Sequence, residues 1–156
     1  MDRYYDVDSG DLWTNRYVEF NGNWYYLGND GKPVTGAQTI NGQEVYFHRY
    51  HGFQIKGDFA GYYSEASTNG NYYDGQTGDK ITHKGFVQRK DGDWFYLDDK
   101  GDKVMGLQTI DGKLYYFIPD GASKYIEYGK QLKGDSISFV NNYKYAPAYG
   151  FLLITR

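Results

Sequence analysis

The sequence predicts an all-β fold, a β-solenoid of stacked β-hairpins with about twenty residues per hairpin, and three observations carry that expectation. Residues 21 to 40 (NGNWYYLGNDGKPVTGAQTI) and 91 to 110 (DGDWFYLDDKGDKVMGLQTI) share ten identities in twenty positions at an offset of 70. Self-similarity at a fixed period marks stacked supersecondary units, none of which buries its apolar face alone. The repeat is also finer than this offset. NGQEVYF at 41–47 opens as NGNWYY does at 21–26, DGKLYYF follows at 111–117, and RYYDVDSGD at 3–11 is echoed by NYYDGQTGD at 71–79. Three such units make one superperiod. Finally, 21 Gly and 19 Tyr in 156 residues, with 3 Pro, describe a chain of turns and strand-forming aromatics, and glycine recurs too often for a helical apolar stripe to develop.

Each unit reads as an Asn-Gly or Asp-Gly turn, an aromatic run such as Trp24 to Leu27, a second turn such as Asn29, Asp30 and Gly31, and a short strand ending near Gly36. Strand alternation puts Trp24 and Tyr26 on one face and Tyr25 and Leu27 on the other. Trp24 is expected to be a packing residue. In GFQIKG at 52–57, Ile55 faces the core while Gln54 and Lys56 share the opposite face, and GKQLKG at 129–134 repeats the pattern at an offset of 77, after about seven extra residues near 122–128. The hairpin repeats are expected over 1–134, with a partial first unit. The segment 135–156 lacks the turn signal and carries Phe151, Leu152, Leu153 and Ile154, so it reads as an atypical cap on the open end of the array. Met1 enters in mid-repeat, as the start of a piece of a longer array would.

Charge and motif content narrow the chemistry. The net charge of -3, with Lys and Arg scattered through turns, lacks the footprint of a nucleic-acid binder. No run approaches a membrane span. The clusters Asp91, Asp93 and Asp98, Asp99, Asp102 read as turn chemistry, and His48, His51 and His83 lack metal-ligand spacing. Neither a nucleophile elbow nor a glycosidase acid pair is recognisable, and a hairpin array offers shallow grooves, so a non-catalytic module with no cofactor is expected.

The run WYYLGNDGKPVTGAQTINGQEVYF at 24–47 followed by GFQIKG, and WFYLDDKGDKVMGLQTIDGKLYYF at 94–117 followed by GKQLKG, resemble the glucan-binding repeats in the non-catalytic domains of glucansucrases. Choline-binding repeats are similar in spacing, but usually carry Trp after the glycine that here precedes Ala37 and Leu107. The glucansucrase resemblance implies an extracellular module that binds an α-glucan of the dextran type, alongside a catalytic domain outside this chain. It implies pockets between consecutive hairpins, each with a Tyr platform and Gln and Lys at the rim. The first would use Gln38 and Lys56 with Tyr25, Tyr26 or Tyr46. The second would use Gln108 and Lys133 with Tyr96 or Tyr116. Tyr26 with Tyr96, and Tyr46 with Tyr116, stay Tyr in both copies and are favoured over Tyr25, which becomes Phe95. For any single tyrosine, packing between strands competes with this role. A choline-type cell-wall module and a structural or receptor-binding array are the alternatives.

Overall fold

The computed structural model describes residues 3–60, 70–119 and 127–133. The expected cap at 135–156 lies outside them. The chain divides into two compact units, Met1–Ile81 and Thr82–Arg156. In the first unit lie β1 (Arg16–Phe20), β2 (Asn23–Leu27), β3 (Gly36–Ile40), β4 (Gln43–Phe47), β5 (Asp58–Ala60) and β6 (Asn71–Tyr73). In the second lie β7 (Gly85–Gln88), β8 (Trp94–Leu97), β9 (Gly106–Ile110) and β10 (Lys113–Phe117). Every described regular element is a strand, and consecutive strands pair antiparallel into five separate two-stranded sheets.

The hairpins turn where the Asn-Gly and Asp-Gly pairs stand. Asn21 and Gly22 have φ of 50° and 77°, Asn41 and Gly42 have 52° and 82°, and Asp111 and Gly112 have 49° and 79°. Positive φ at both central residues is the type I′ geometry, whose twist matches that of the flanking strands. Five residues on each side then pair, from Phe20↔Asn23 to Arg16↔Leu27 and from Ile40↔Gln43 to Gly36↔Phe47. This corrects the sequence expectation that the aromatic run pairs with the strand after it. After the second turn, Pro33 makes only one bridge, to Leu27. A proline has no N–H to extend a ladder.

That single bridge nevertheless recurs, as Phe47↔Gln54, Tyr73↔Lys80, Leu97↔Lys103 and Phe117↔Gln131. The residue after it always donates its N–H to the second strand of the same hairpin: Val34 to Tyr26, Ile55 to Tyr46, Ile81 to Tyr72, Val104 to Tyr96 and Leu132 to Tyr116, at 2.8–2.9 Å. The bridge residue itself can reach back one hairpin further. Gln54 N–H donates to the Trp24 carbonyl at 2.7 Å, Lys80 to Glu44 at 2.8 Å, and Gln131 to Trp94 at 2.8 Å. Neighbouring hairpins within a unit are thus tied by backbone bonds at these three bridge positions, whereas Pro33, with no N–H, cannot donate one.

The Asp91-Gly92 pair departs from the expected turn. Only Gly92 has positive φ, and Gln88↔Trp94 closes a five-residue loop over 89–93. Arg89 N–H donates to the Asp93 carbonyl at 2.8 Å, and its guanidinium reaches Asp91 at 2.7 Å and Asp93 at 3.0 Å. Elsewhere the acidic residues act as the sequence suggested. Asp74 accepts from the Gln76 and Thr77 amides at 2.8 Å, and Asp98 from Lys100 at 2.8 Å and Asp102 at 3.0 Å. These amide donors hold both carboxyls below their ordinary range. In the 48–53 turn His48 Nδ1 substitutes, accepting from Tyr50 and His51.

The core is a series of small clusters. Val18, Tyr25 and Leu27 pack with Tyr4, Trp13 and Phe53; Ile40, Val45 and Phe47 pack with Tyr17, Tyr26 and Val34; Tyr46, Ile55, Ala60 and Tyr73 pack with Phe53. Tyr26 and Tyr46 therefore serve the opposite face of their own strands, which is why the runs WYYL and VYF read as nearly continuous apolar segments. Ile55 is core, as its alternation required. Trp24 is not: it is 41% exposed beside Glu19 in register, while Leu27 is fully buried.

Two outcomes follow in urea denaturation. Leu27→Ala should lose about 2–5 kcal/mol, and Trp24→Ala clearly less, because the indole is already partly in water. Gly36 and Gly52 share a φ of 73–74°, but a Cβ at Gly36 meets nothing within 4 Å whereas one at Gly52 lies 3.1 Å from the Pro33 Cβ. Gly36→Ala should cost about 1–2 kcal/mol from φ strain alone, and Gly52→Ala more, because the pyrrolidine ring cannot swing aside. Equal losses would show that the contact is not limiting.

Candidate functional site

Among the described residues, an open groove built by adjacent hairpins lies in each unit. The groove of the first unit has a volume of ≈ 500 Å³ and is lined on the β3–β4 hairpin by Gln38, Thr39, Glu44 and Tyr46, and beyond it by Arg49, Asn71, Tyr73 and Lys80. It lies within the range of small-ligand sites, though open and strongly polar. Gln38 and Tyr46, both expected from the sequence, meet here. The Gln38 amide is oriented by donating to the Thr35 carbonyl at 2.9 Å. Tyr46 is 6% exposed and its ring lies 5.6 Å from that of Tyr73, at 3% exposure, so the two close the floor and offer little open face.

Lys56 and Tyr26 are not brought to this groove. Lys56 donates to the Gln76 carbonyl at 3.3 Å, tying its strand to the next loop. Tyr26 meets Tyr17 edge to face, with ring centroids 5.0 Å apart. The groove's lysine is Lys80, 4.0 Å from Glu44, an exposed pair of small energetic weight. Sequence reasoning missed Lys80, Asn71 and Arg49. The spacing held a signal for the first: Lys80 follows Gly78 by two residues as Gln54 follows Gly52, which marks the bridge position.

The groove of the second unit has a volume of ≈ 320 Å³ and is lined by Tyr96, Gln108, Thr109, Lys84 and the acidic Asp98, Asp99 and Asp111. Tyr96 and Gln108 meet here, and Gln108 donates to the Met105 carbonyl at 2.8 Å, as Gln38 does to Thr35. Tyr116 does not line this groove and is buried in the β9–β10 hairpin opposite Leu107. Lys133 stands over the Trp94 ring, its Nζ 5.5 Å from the centroid, and Lys84 is the lysine at the groove.

The two grooves are not copies. The first lies where β3–β4 meets the segment containing β6, and the second where β8 meets β9. Gln38 and Gln108 match at the offset of 70, but Tyr46 and Tyr96 do not.

Burial, with Tyr46 and Glu44 nearby, pushes the Tyr73 phenol up from near 10 to about 12. The stability contributed by the neutral phenol is complete below pH 10 and is lost as pH rises through 12. An alkaline absorbance titration of wild type minus Tyr73→Phe should isolate one phenol ionising near pH 12. A difference curve centred near 10 would show that Tyr73 is open to solvent.

Two repeat families match the chain. One, described as choline-binding repeat, covers residues 34–84, and the other, described as putative cell wall binding repeat, covers 15–32 and 84–103. Glucosyltransferase-I of Streptococcus downei is 41% identical over 122 residues, 78% of this chain and 6% of its own length. Glucosyltransferase-I of Streptococcus mutans is 42% identical over 131 residues, 83% of this chain and 8% of its own. The chain thus spans less than a tenth of the curated relatives it matches. The solved modular autolysin of Streptococcus pneumoniae, in complex with synthetic peptidoglycan ligand, has the same fold at a TM-score of 0.51, with 20% identity over 85% of this chain and 31% of that one.

Proposed function

The chain belongs to the family of choline-binding and cell-wall-binding repeats, and from that premise we propose that it is a non-catalytic module that binds an extracellular α-glucan of the dextran type. Its hairpins would stack as a β-solenoid over 1–134, with 135–156 as the cap. The identity to two streptococcal glucosyltransferases, over a stretch that is a small fraction of each, supports a module set apart from catalysis. The observation that carries the reading is the first groove, where Gln38, Asn71, Arg49 and Lys80 supply donors and Glu44 and Thr39 acceptors above an aromatic floor. A glucose ring asks for a fringe of polar groups around its hydroxyls, which this groove supplies, and for an apolar contact below, of which the buried Tyr46 and Tyr73 rings offer only a narrow edge. Tyr46, Gln38, Tyr96 and Gln108 remain the proposed contacts from the sequence, with Lys80 and Lys84 in the place first given to Lys56 and Lys133. Lys56, Tyr26, Tyr116 and Lys133 would support the scaffold.

One such groove would bind weakly, with a dissociation constant of about 1 mM, because few atoms are buried. Two grooves on one chain facing a polymer of identical units would gain about 10² to 10⁴ in avidity if one polymer can reach both. A choline-type wall ligand is the second reading, favoured by the match over 34–84, which spans the first groove. Against it stands Ala37 where an aromatic wall would be needed for a quaternary ammonium.

The test is migration in native gels cast with dextran, with choline-bearing wall polymer, or with neither. Dextran should retard the protein. Gln38→Ala should weaken retardation by about 0.5–3 kcal/mol, and Lys56→Ala should leave it nearly unchanged. No retardation by dextran at any concentration, or a larger loss from Lys56→Ala than from Gln38→Ala, would overturn the assignment.

A further inference from the structure

The β9–β10 hairpin carries two exposed leucines that line neither groove. Its register places Leu107 opposite Tyr116 and Leu114 opposite Thr109, so the leucines are diagonal neighbours on one face. Leu107 is 41% exposed and Leu114 55%. At the offset of 70, the matching positions of β3–β4 hold Ala37, Tyr46, Glu44 and Thr39, all of which line the groove of the first unit. The second copy keeps the Thr and the Tyr but puts Leu where Ala and Glu stand, and a leucine pair has no donor or acceptor for a sugar hydroxyl.

In the first unit this face is walled by the chain that follows it. Asn71, Tyr73 and Lys80 stand across the groove, the Tyr73 ring lies 5.6 Å from that of Tyr46, and Lys80 N–H donates to the Glu44 carbonyl at 2.8 Å. The chain that follows β10 keeps step in sequence: Lys133, Gly134 and Asp135 repeat Lys56, Gly57 and Asp58 at the offset of 77 that also relates Gln131 to Gln54. Carried on, that offset sets Ala148 and Gly150 against Asn71 and Tyr73, and Phe151, Leu152, Leu153 and Ile154 follow at once. The polar wall is lost where the face turns apolar. Reach is no obstacle, because an extended chain from Lys133 to Phe151 spans up to about 60 Å and a five-residue strand only about 17 Å.

We propose that residues 151–154 seat on the Leu107–Leu114 face and close it, so that the polar groove of the first unit has no open counterpart on β9–β10. Burying both leucines against this run removes apolar surface from water, which a solvated sugar would not do. The occupant is this segment and not a second copy of the chain, because the first unit fills the matching face from its own downstream chain. The inference rests on the reading of 135–156 as a cap and gives that cap its seat. It does not rest on glucan binding.

The chain has no cysteine, so an introduced pair reports without background. In the full chain, Leu114→Cys is combined in turn with Leu152→Cys and with Leu153→Cys, whose side chains leave an extended segment on opposite sides. Lys100→Cys, at an exposed turn position, replaces Leu114→Cys in the reference pairs. Under mild oxidation at low protein concentration, Leu114→Cys should join at least one partner within the same chain about tenfold or more faster than the reference does, since a disulfide needs Cα atoms within about 7 Å. Peptide mass mapping reads the link. Equal rates in all the pairs would mean a loose tail, and dimers linked through Leu114→Cys would mean a second copy; either overturns the proposal. Should the paired variants fail to fold, Leu114→Glu, which restores the residue of the first unit, supplies a second measurement. Chymotryptic cleavage at Phe151 should then be about tenfold faster than in wild type, and an unchanged rate overturns the proposal. Neither readout involves dextran, so failure of the glucan reading and failure of this one are told apart.

Discussion

A single contact recurs through both units and constrains what surrounds it: a glycine set directly against the side chain of the bridge residue one repeat earlier. Gly31 lies against Leu12, Gly52 against Pro33, Gly78 against Gln54 and Gly129 against Lys103, and a Cβ at any of them would fall about 3 Å or less from its neighbour. A bulkier residue would push the two repeats apart. The backbone bonds from Gln54 to Trp24, Lys80 to Glu44 and Gln131 to Trp94 need that close approach. Because the constraint falls on the glycine and on backbone atoms, the bridge side chain is free to differ. Leu, Pro, Gln and Lys all occupy the place, and each gives its repeat a different chemistry on an unchanged frame.

Close stacking also explains why so much tyrosine is needed. A hairpin covered on both faces must be apolar at successive positions, yet its ends still meet solvent. Tyr26 and Tyr46 fill gaps toward the next hairpin while carrying hydroxyls, which Phe in their places would lack. Leu27, Phe47, Leu97 and Phe117, each at the last position of a second strand, are fully buried, as are Phe95 and Ala60 elsewhere. The core is thus a set of small clusters, with Phe53 shared by two of those in the first unit.

The sequence was most legible where chemistry is local. Asn21-Gly22, Asn41-Gly42 and Asp111-Gly112 announce type I′ turns because few other residues tolerate that backbone, and Ile55 follows from alternation alone. It was least legible where a neighbouring repeat decides. Trp24 shares a face with Tyr26, but only the packing of the next hairpin puts Tyr26 inside and leaves the indole partly in water. Asp91-Gly92 matches Asn21-Gly22 in alignment, yet Arg89 supplies a side chain that the first copy lacks and draws both aspartates into a wider loop. Lys56 and Gln38 lie in consecutive repeats yet do not line one groove, because a carbonyl at Gln76 lies within reach of the lysine.

Groove position follows from the same division between frame and side chain. The repeated Gln38 and Gln108 each fix the approach to their strand by bonding a carbonyl three residues back, and this is a property of one hairpin, so it copies faithfully. A groove is a property of two. Its walls depend on what the adjoining segment contributes, Asn71 and Lys80 in one unit, Lys84 and three aspartates in the other. Duplication of a hairpin therefore preserves the anchor and leaves the ligand surface free to diverge. A polymer of identical sugars tolerates that divergence, since sites of unequal strength still add along one chain, whereas a ligand needing a closed aromatic cage would require the same walls at every repeat.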